Sequence, residues 1–382
     1  MPEEIVKSES KKMERPIRVG ITQGDVNGVG CEIILKAIGE DGITELFTPV
    51  IFGVSSVIQH AKDTFGYSDL KIHEVADASE VKDGKVNLVC LTEGTLELHP
   101  GEVRKDSGAS AVESLERAVE SLRKGDIDVL VTAPISKEAV QSDSFKFPGH
   151  TEFLSERIGE GEEALMILCN DNLRVALLTK HLPVAKIAEN ITEEKVIEVV
   201  EKLSTVLKKD FGIIRPKVAV LSLNPHAGDG GLLGSEEEDI LQPAISKLRD
   251  KGILAFGPFA SDGFFGHESY RKFDGVLAMY HDQGLAPFKT IASSGGVNFS
   301  ANLPYVRTSP DHGTAYDIAW KGEADASSMK EAIYMAIDIF RRRKLYDEVS
   351  ANPLKKYVHE RPEKSERFER NAANETKNEK IE

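Results

Sequence analysis

Apolar runs alternate with amphipathic stretches along most of this chain, in the rhythm of strand followed by helix. IRVGIT (Ile17 to Thr22) reads as a strand, followed by a glycine-rich loop and a helix from about Cys31 to Ile38. FTPVIFGV (Phe47 to Val54) is a second strand, and a helical pattern starts at Ser55. DVLVTAP (Asp128 to Pro134) is a continuous apolar run of the kind that parallel sheets bury on both faces. RVALLT (Arg174 to Thr179), KVAVLSLN (Lys217 to Asn224) and DGVLAMY (Asp274 to Tyr280) also read as strands. Helices are expected at Ser110 to Arg123, Thr192 to Lys209, Ser235 to Lys251 and Ser328 to Lys344. Ser110 and Glu113, Ser235 and Glu238, and Ser328 and Glu331 have capping-box spacing, a hydroxyl at the helix start answered by a carboxylate three residues on. Strand and helix alternation of this length predicts an α/β fold with a mostly parallel sheet in two lobes, and such sheets gather ligands at the carboxyl ends of strands.

Composition narrows the class. The 382 residues can bury a substantial core, and a net charge of −15 argues against a nucleic-acid or anionic-membrane partner, which would require an excess of Lys and Arg. An anionic metabolite must then be met by a local cluster of cations and backbone donors. Cys31, Cys90 and Cys169 are far apart and form no C-x-x-C pair, which fits a reducing compartment and neither a disulfide framework nor a structural zinc site. The N-terminus has no apolar run of signal-peptide length, and no stretch approaches the ~18 apolar residues of a membrane span, so a cytoplasmic protein is expected. Residues 1–15 read as a disordered leader and 351–382 as a charged tail.

Three of the ten histidines fall just after predicted buried strands: His181, His226 and His281. A strand end can fix an imidazole closely enough to ligate a metal, and three imidazoles leave coordination positions open for substrate oxygens. His150 and Thr151, with Thr151 as N-cap, sit where a loop enters a helix whose free N–H groups suit an anion. Lys289, Asn298 and Arg307 recur every nine residues through a stretch that reads as turn-rich, with cations placed to clamp phosphate or carboxylate. Asp311 and His312 either support this cluster or cap the following helix. GDVNGVG (Gly24 to Gly30) looks like a phosphate cradle, yet neither it nor GDGGLLG (Gly228 to Gly234) matches a dinucleotide fingerprint or a P-loop.

The segments GITQGDVNGVGCE, FPGHTEFLSE, TKHLP, SLNPHAGDGGLLGSEEEDI, GPFASDGFF, AMYHDQGLAPFK and LPYVRTSPDHGTAYDIA occur in order between about Arg18 and Ile333. Together they resemble the 4-hydroxythreonine-4-phosphate dehydrogenase family of vitamin B6 biosynthesis. The resemblance implies a two-lobed fold like that of isocitrate and isopropylmalate dehydrogenases. The first lobe would comprise residues 16–148 with 300–350, and the second 149–299 with the metal ligands and dimer contacts. It implies His181, His226 and His281 as ligands of a divalent metal (Zn, Mn, Co or Mg), and His150, Thr151, Lys289, Asn298 and Arg307 as substrate contacts. It also implies NAD or NADP as cofactor, with cofactor-binding residues unassigned, and a homodimer with a shared active site. The expected reaction oxidises the phosphorylated hydroxy acid to a 3-oxo acid that decarboxylates to 3-amino-2-oxopropyl phosphate, with Asp282 and Lys289 as candidate general bases. Gln23, Val26, Asn27, Cys31 and Asn302 depart from the usual family pattern. Alternatives are a dehydrogenase of phosphothreonate or phosphoerythronate, and a non-catalytic binding protein of the same fold.

Overall fold

A computed structural model describes residues 15–91, 96–142, 145–147, 149–292 and 295–353. Most of the expected leader (1–15) and tail (351–382) lies outside the described residues. The strands are β1 (Arg18–Thr22), β2 (Thr48–Gly53), β3 (Ile72–Val75), β4 (Val86–Cys90), β5 (Val129–Thr132) and β6 (Leu165–Cys169). They continue with β7 (Arg174–Leu177), β8 (Lys217–Leu221), β9 (Leu254–Phe259), β10 (Gly275–Ala278), β11 (Val297–Ala301) and β12 (Arg307–Pro310). All twelve join one sheet in the order β3-β4-β2-β1-β5-β12-β11-β6-β7-β10-β8-β9. The pairings are parallel on both flanks and antiparallel only at the centre, where β12, β11, β6 and β7 adjoin. The fold is therefore α/β with a mostly parallel sheet.

Both faces of the sheet are covered, as parallel strands require. On one face a continuous apolar layer runs across the sheet, fed by Val19 and Ile21 of β1, Val129 and Val131 of β5, Ile167 of β6 and Val297 and Phe299 of β11. The helices Gly30–Ile38, Glu193–Lys209 and Ser327–Ser350 seal it. On the opposite face the apolar layer is interrupted. One cluster forms under the helix Lys105–Lys124 from Val50, Phe52, Leu130 and Phe153, and a second from Met166, Leu168, Val175, Val276 and Phe288. Between them β11 and β12 present Asn298, Ser300, Arg307 and Ser309, and this polar gap becomes the floor of a cavity.

Helix starts depart from the expected capping boxes. The helix expected at Ser110 begins at Lys105, and Ser110 is interior, its hydroxyl accepting from Gln23 Nε2 at 2.7 Å. Glu236 begins the next case without a side-chain cap, through a π-helical turn (Glu237–Leu241) that passes into the helix Gln242–Asp250. At the last helix, Asp325 receives the Ser327 N–H at 2.9 Å while Ser328 donates its hydroxyl to Asp311. Thr192 does cap its helix, accepting from Lys195 N. Residues up to Lys344 form one packed unit. The described residues beyond it, 345–353, end a helix and expose Leu345, Tyr346 and Val349. Among the described residues no helix is long and apolar enough to cross a membrane.

Candidate active site

The cavity over the polar gap has a volume of about 520 Å³. Strand alternation builds its floor: Thr132 ends β5, Arg307 and Ser309 lie on one face of β12, Asn298 on the same face of β11, and Met166 and Leu168 on that of β6. The stretch read as turn-rich is therefore a helix and two strands, with Lys289 in the helix His281–Ile291, Asn298 on β11 and Arg307 on β12. Periodicity of two brings Asn298 and Arg307 together, where a spacing of nine residues carried no structural meaning.

Arg307 dominates the electrostatics. Its side chain is 1% exposed, Nη1 donates to Ser300 Oγ at 2.9 Å and Nη2 to Thr132 Oγ1, while Nε has no partner. Both partners are neutral hydroxyls, so burial pushes the guanidinium below the ordinary arginine range to about 9, with the Glu152 charge opposing. A buried cation held only by hydroxyls is costly until an anion joins it. His150 Nε2, Asn298 Oδ1 and His312 Nε2 are likewise buried without a partner, and all three residues line the same cavity. Burial, reinforced by Arg307, holds the His150 ring well below the ordinary imidazole range, so it is neutral. The helix His150–Ile158 starts at this wall, with Gly149 as its N-cap. Thr151 lies in the first turn rather than at the cap expected of it. Lys289 Nζ reaches the Asp311 carbonyl at 3.1 Å, and Lys137, which the sequence reading passed over, adds a cation to the rim.

His181 and His281 face each other across the cavity wall, ring centroids 6.0 Å apart. Their strands are tied just upstream: Thr179 Oγ1 donates to the Met279 carbonyl at 2.7 Å. Gln283 accepts from Met279 N and donates to the Ser222 carbonyl and to Ser261 Oγ, coupling the His281 helix to the end of β8. Asp282 Oδ1 accepts from His281 Nδ1 at 2.6 Å, which leaves Nε2 with the free lone pair, and Glu152 stands 3.8 Å from His181 Nδ1. This donor chemistry suits a borderline divalent cation. Among the described residues no group of three or more His, Cys, Asp or Glu side chains is placed to hold a metal ion. His226 is exposed on the loop after β8 and does not line the cavity.

The first glycine loop is no phosphate cradle. Asp25 N donates to the Pro134 carbonyl, Asn27 N to the Asp25 carboxylate, Gly28 N to the Asp25 carbonyl and Val29 N to the Thr314 carbonyl. Those donors are already used, and the loop is buried against the segment that follows β12. Glycine is needed for close packing there: a Cβ on Gly28 would sit 2.7 Å from Thr314 O.

The family described as pyridoxal phosphate biosynthetic protein PdxA matches residues 45–336. A 4-hydroxythreonine-4-phosphate dehydrogenase of Bacteroides thetaiotaomicron is 49% identical over 356 residues, 93% of this chain and 97% of that protein. A D-threonate 4-phosphate dehydrogenase of Salmonella typhimurium is 36% identical, over 84% of this chain and 98% of its own. The crystal structure of a 4-hydroxythreonine-4-phosphate dehydrogenase from Klebsiella pneumoniae superposes with a TM-score of 0.73 at 32% identity, covering 87% of this chain and 99% of that one. With a family match over residues 45–336 and a relative 49% identical over 93% of this chain, the chain belongs to the PdxA family of pyridoxal phosphate biosynthetic proteins.

Proposed function

We propose that the chain is a divalent-metal-dependent, NAD- or NADP-linked 4-hydroxythreonine-4-phosphate dehydrogenase acting in the cytoplasm. The observation that carries this reading is the buried Arg307 guanidinium without an anionic partner, set among three further unpartnered polar atoms in one cavity. Arg307, Lys289 and Lys137 attract the substrate's phosphate and carboxylate, while the N-terminus of the helix His150–Ile158, with Thr151, donates hydrogen bonds to them. Asn298 and neutral His150 orient the remaining polar groups of the substrate.

His181 and His281 hold the metal from one chain, and His226 of a second copy completes the set. That assignment draws on the position of His226 outside its own cavity. It also draws on the exposed Leu232 and Leu233 of the same loop and the exposed Leu182 and Val184 beside His181. A divalent cation bound there (Zn, Mn, Co or Mg) supplies Lewis acidity to the substrate's hydroxyl oxygen, and a nicotinamide cofactor is the hydride acceptor. The hydroxyl proton passes to Asp282 or, in the alternative in which Arg307 and Lys137 alone meet the anions and the Lys289 amine is uncharged, to Lys289. Asp282 already accepts from His281, whereas Lys289 is bonded to a main-chain carbonyl. Oxidation of the alcohol carbon yields a 3-oxo acid, which loses CO2 to give 3-amino-2-oxopropyl phosphate. Residues 16–148 with 300–350 would form one lobe of this machinery and 149–299 the other.

The test is reduced-nicotinamide formation by the purified protein on 4-hydroxythreonine 4-phosphate, its dephosphorylated form, D-threonate 4-phosphate and 4-phosphoerythronate. The highest kcat/KM is expected for the first, abolished by chelation and restored by added metal. A higher kcat/KM on D-threonate 4-phosphate, or full turnover by protein shown to be metal-free, overturns the assignment.

A further inference from the structure

The loop after β8 is wound in an unfavourable way. His226, Ala227 and Asp229 have φ of 53°, 53° and 45°, and Gly228, Gly230 and Gly231 are also positive. Left-handed backbone at residues with a Cβ costs about 1 kcal/mol or more each, and such strain persists only where the surroundings over-determine it. The loop carries its own main-chain hydrogen bonds, and its entry is anchored by one buried side chain, Glu237, which is 0% exposed. One carboxylate oxygen accepts the N–H groups of Leu223 and Asn224, each at 2.8 Å, where the chain enters the loop. The other accepts from Asn224 Nδ2 at 2.9 Å and lies 2.8 Å from where a Cβ on Gly228 would stand, just past His226. The carboxylate thus bonds the chain on its approach to the histidine and lies close against Gly228 just beyond it, where a side chain would not fit. Glu237 opens a π-helical turn, and such turns redirect side chains where an unbroken α-helix would not.

A buried carboxylate held by main-chain amides and an amide side chain is an expensive fastener, so its presence calls for a purpose beyond filling space. From this geometry we propose that Glu237 is a positioning residue for His226. It holds the strained loop so that the exposed imidazole stands ready to ligate metal. The inference rests on the reading of His226 as a metal ligand. Glu237 touches neither substrate nor metal and acts through the main chain of residues 223–228. Glutamine has the same shape, but its NH2 group would oppose the donating Asn224 Nδ2, removing one of the three hydrogen bonds that hold the loop entry.

A double-mutant cycle on the full-length protein tests this, with Zn2+ affinity measured by competition against a chromophoric chelator. Amide hydrogen exchange of the 223–231 region provides a second readout. Glu237→Gln is expected to weaken Zn2+ binding about 10–100-fold and to speed exchange in that region. Combined with His226→Ala, it should add no further loss, because the group it positions is already gone. Losses that add in the double variant, or unchanged Zn2+ affinity in Glu237→Gln, overturn the positioning role while leaving His226 a ligand. Unchanged affinity in His226→Ala alone overturns the ligand reading itself, and the inference with it. If Glu237→Gln does not fold, Asn224→Ala loosens the same contact from the other side. It should produce a smaller loss, again non-additive with His226→Ala, and an additive or absent effect refutes the proposal equally.

Discussion

Replacing Arg307 with methionine separates two roles that a buried arginine usually combines. In the free enzyme burial lowers its guanidinium from the ordinary arginine range to about 9, a penalty of several kcal/mol at ~1.36 kcal/mol per pH unit. With the folded value depressed, the penalty is fully present below pH ~9 and is relieved only as pH rises from there toward the ordinary arginine range. Two charge-assisted hydrogen bonds, to Ser300 and Thr132, return about 1.5–3 kcal/mol each. The two sides nearly cancel. Arg307→Met should therefore change the unfolding free energy of the free enzyme by no more than about 2 kcal/mol, against the ~3–5 kcal/mol lost when one member of a buried ion pair is removed.

Function should respond very differently. The partnerless Nε–H and one further N–H are available to a substrate anion, so their removal costs about 3–6 kcal/mol, roughly 100- to 10,000-fold in kcat/KM. The assay pairs steady-state kinetics on the phosphorylated substrate with thermal unfolding at neutral pH, with and without inorganic phosphate. Wild-type protein should gain melting temperature with phosphate and the variant should not. A variant that keeps its phosphate-induced shift, or one that unfolds far below wild type without ligand, would show that Arg307 is a structural cation and that the cavity is not organised around an anion.

Three further outcomes follow from the same geometry. Mixed dimers of His226→Ala and His281→Ala, each inactive alone, should regain activity because one site in each mixed dimer is intact; continued inactivity would place both ligands on one chain. Lys137→Met should raise KM for the phosphorylated substrate about fivefold with kcat nearly unchanged, a rim charge contributing about 1 kcal/mol, and an unchanged KM would remove Lys137 from the site. His150 is held well below its ordinary value of 6.5 by burial and Arg307, so its stabilising contribution is complete above that value and declines as pH falls below it, where the unfolded chain takes up the proton first. His150→Asn should flatten the acid side of the melting-temperature profile, and a profile parallel to wild type would refute the neutral, buried assignment.

What the sequence disclosed and what it hid follow from how far each signal reaches along the chain. Long apolar runs such as that at β5 mark buried parallel strands because both faces need apolar side chains, and the helix capped by Thr192 could be placed to within a residue. β11 was missed although VNFSA alternates strictly: Val297, Phe299 and Ala301 enter the continuous core, while Asn298 and Ser300 face the cavity. Its polar half resembled a loop because function had replaced the apolar residues that normally announce a strand there. The same replacement hid the floor of the site, since Thr132, Ser300 and Ser309 are individually unremarkable and gain meaning only when the sheet order sets β5, β12 and β11 side by side. Capping boxes failed for a related reason: Ser110 and Ser328 spend their hydroxyls on tertiary partners, Gln23 and Asp311, that no local pattern contains. His226 lies where no local pattern would place it. Its neighbours in sequence suggest a strand-end ligand like His181 and His281, yet its backbone is left-handed and it is exposed, outside the lining of the cavity. A residue exposed outside the cavity of its own chain can be named from sequence as a candidate ligand, and the mixed-dimer measurement decides whether it serves a second copy.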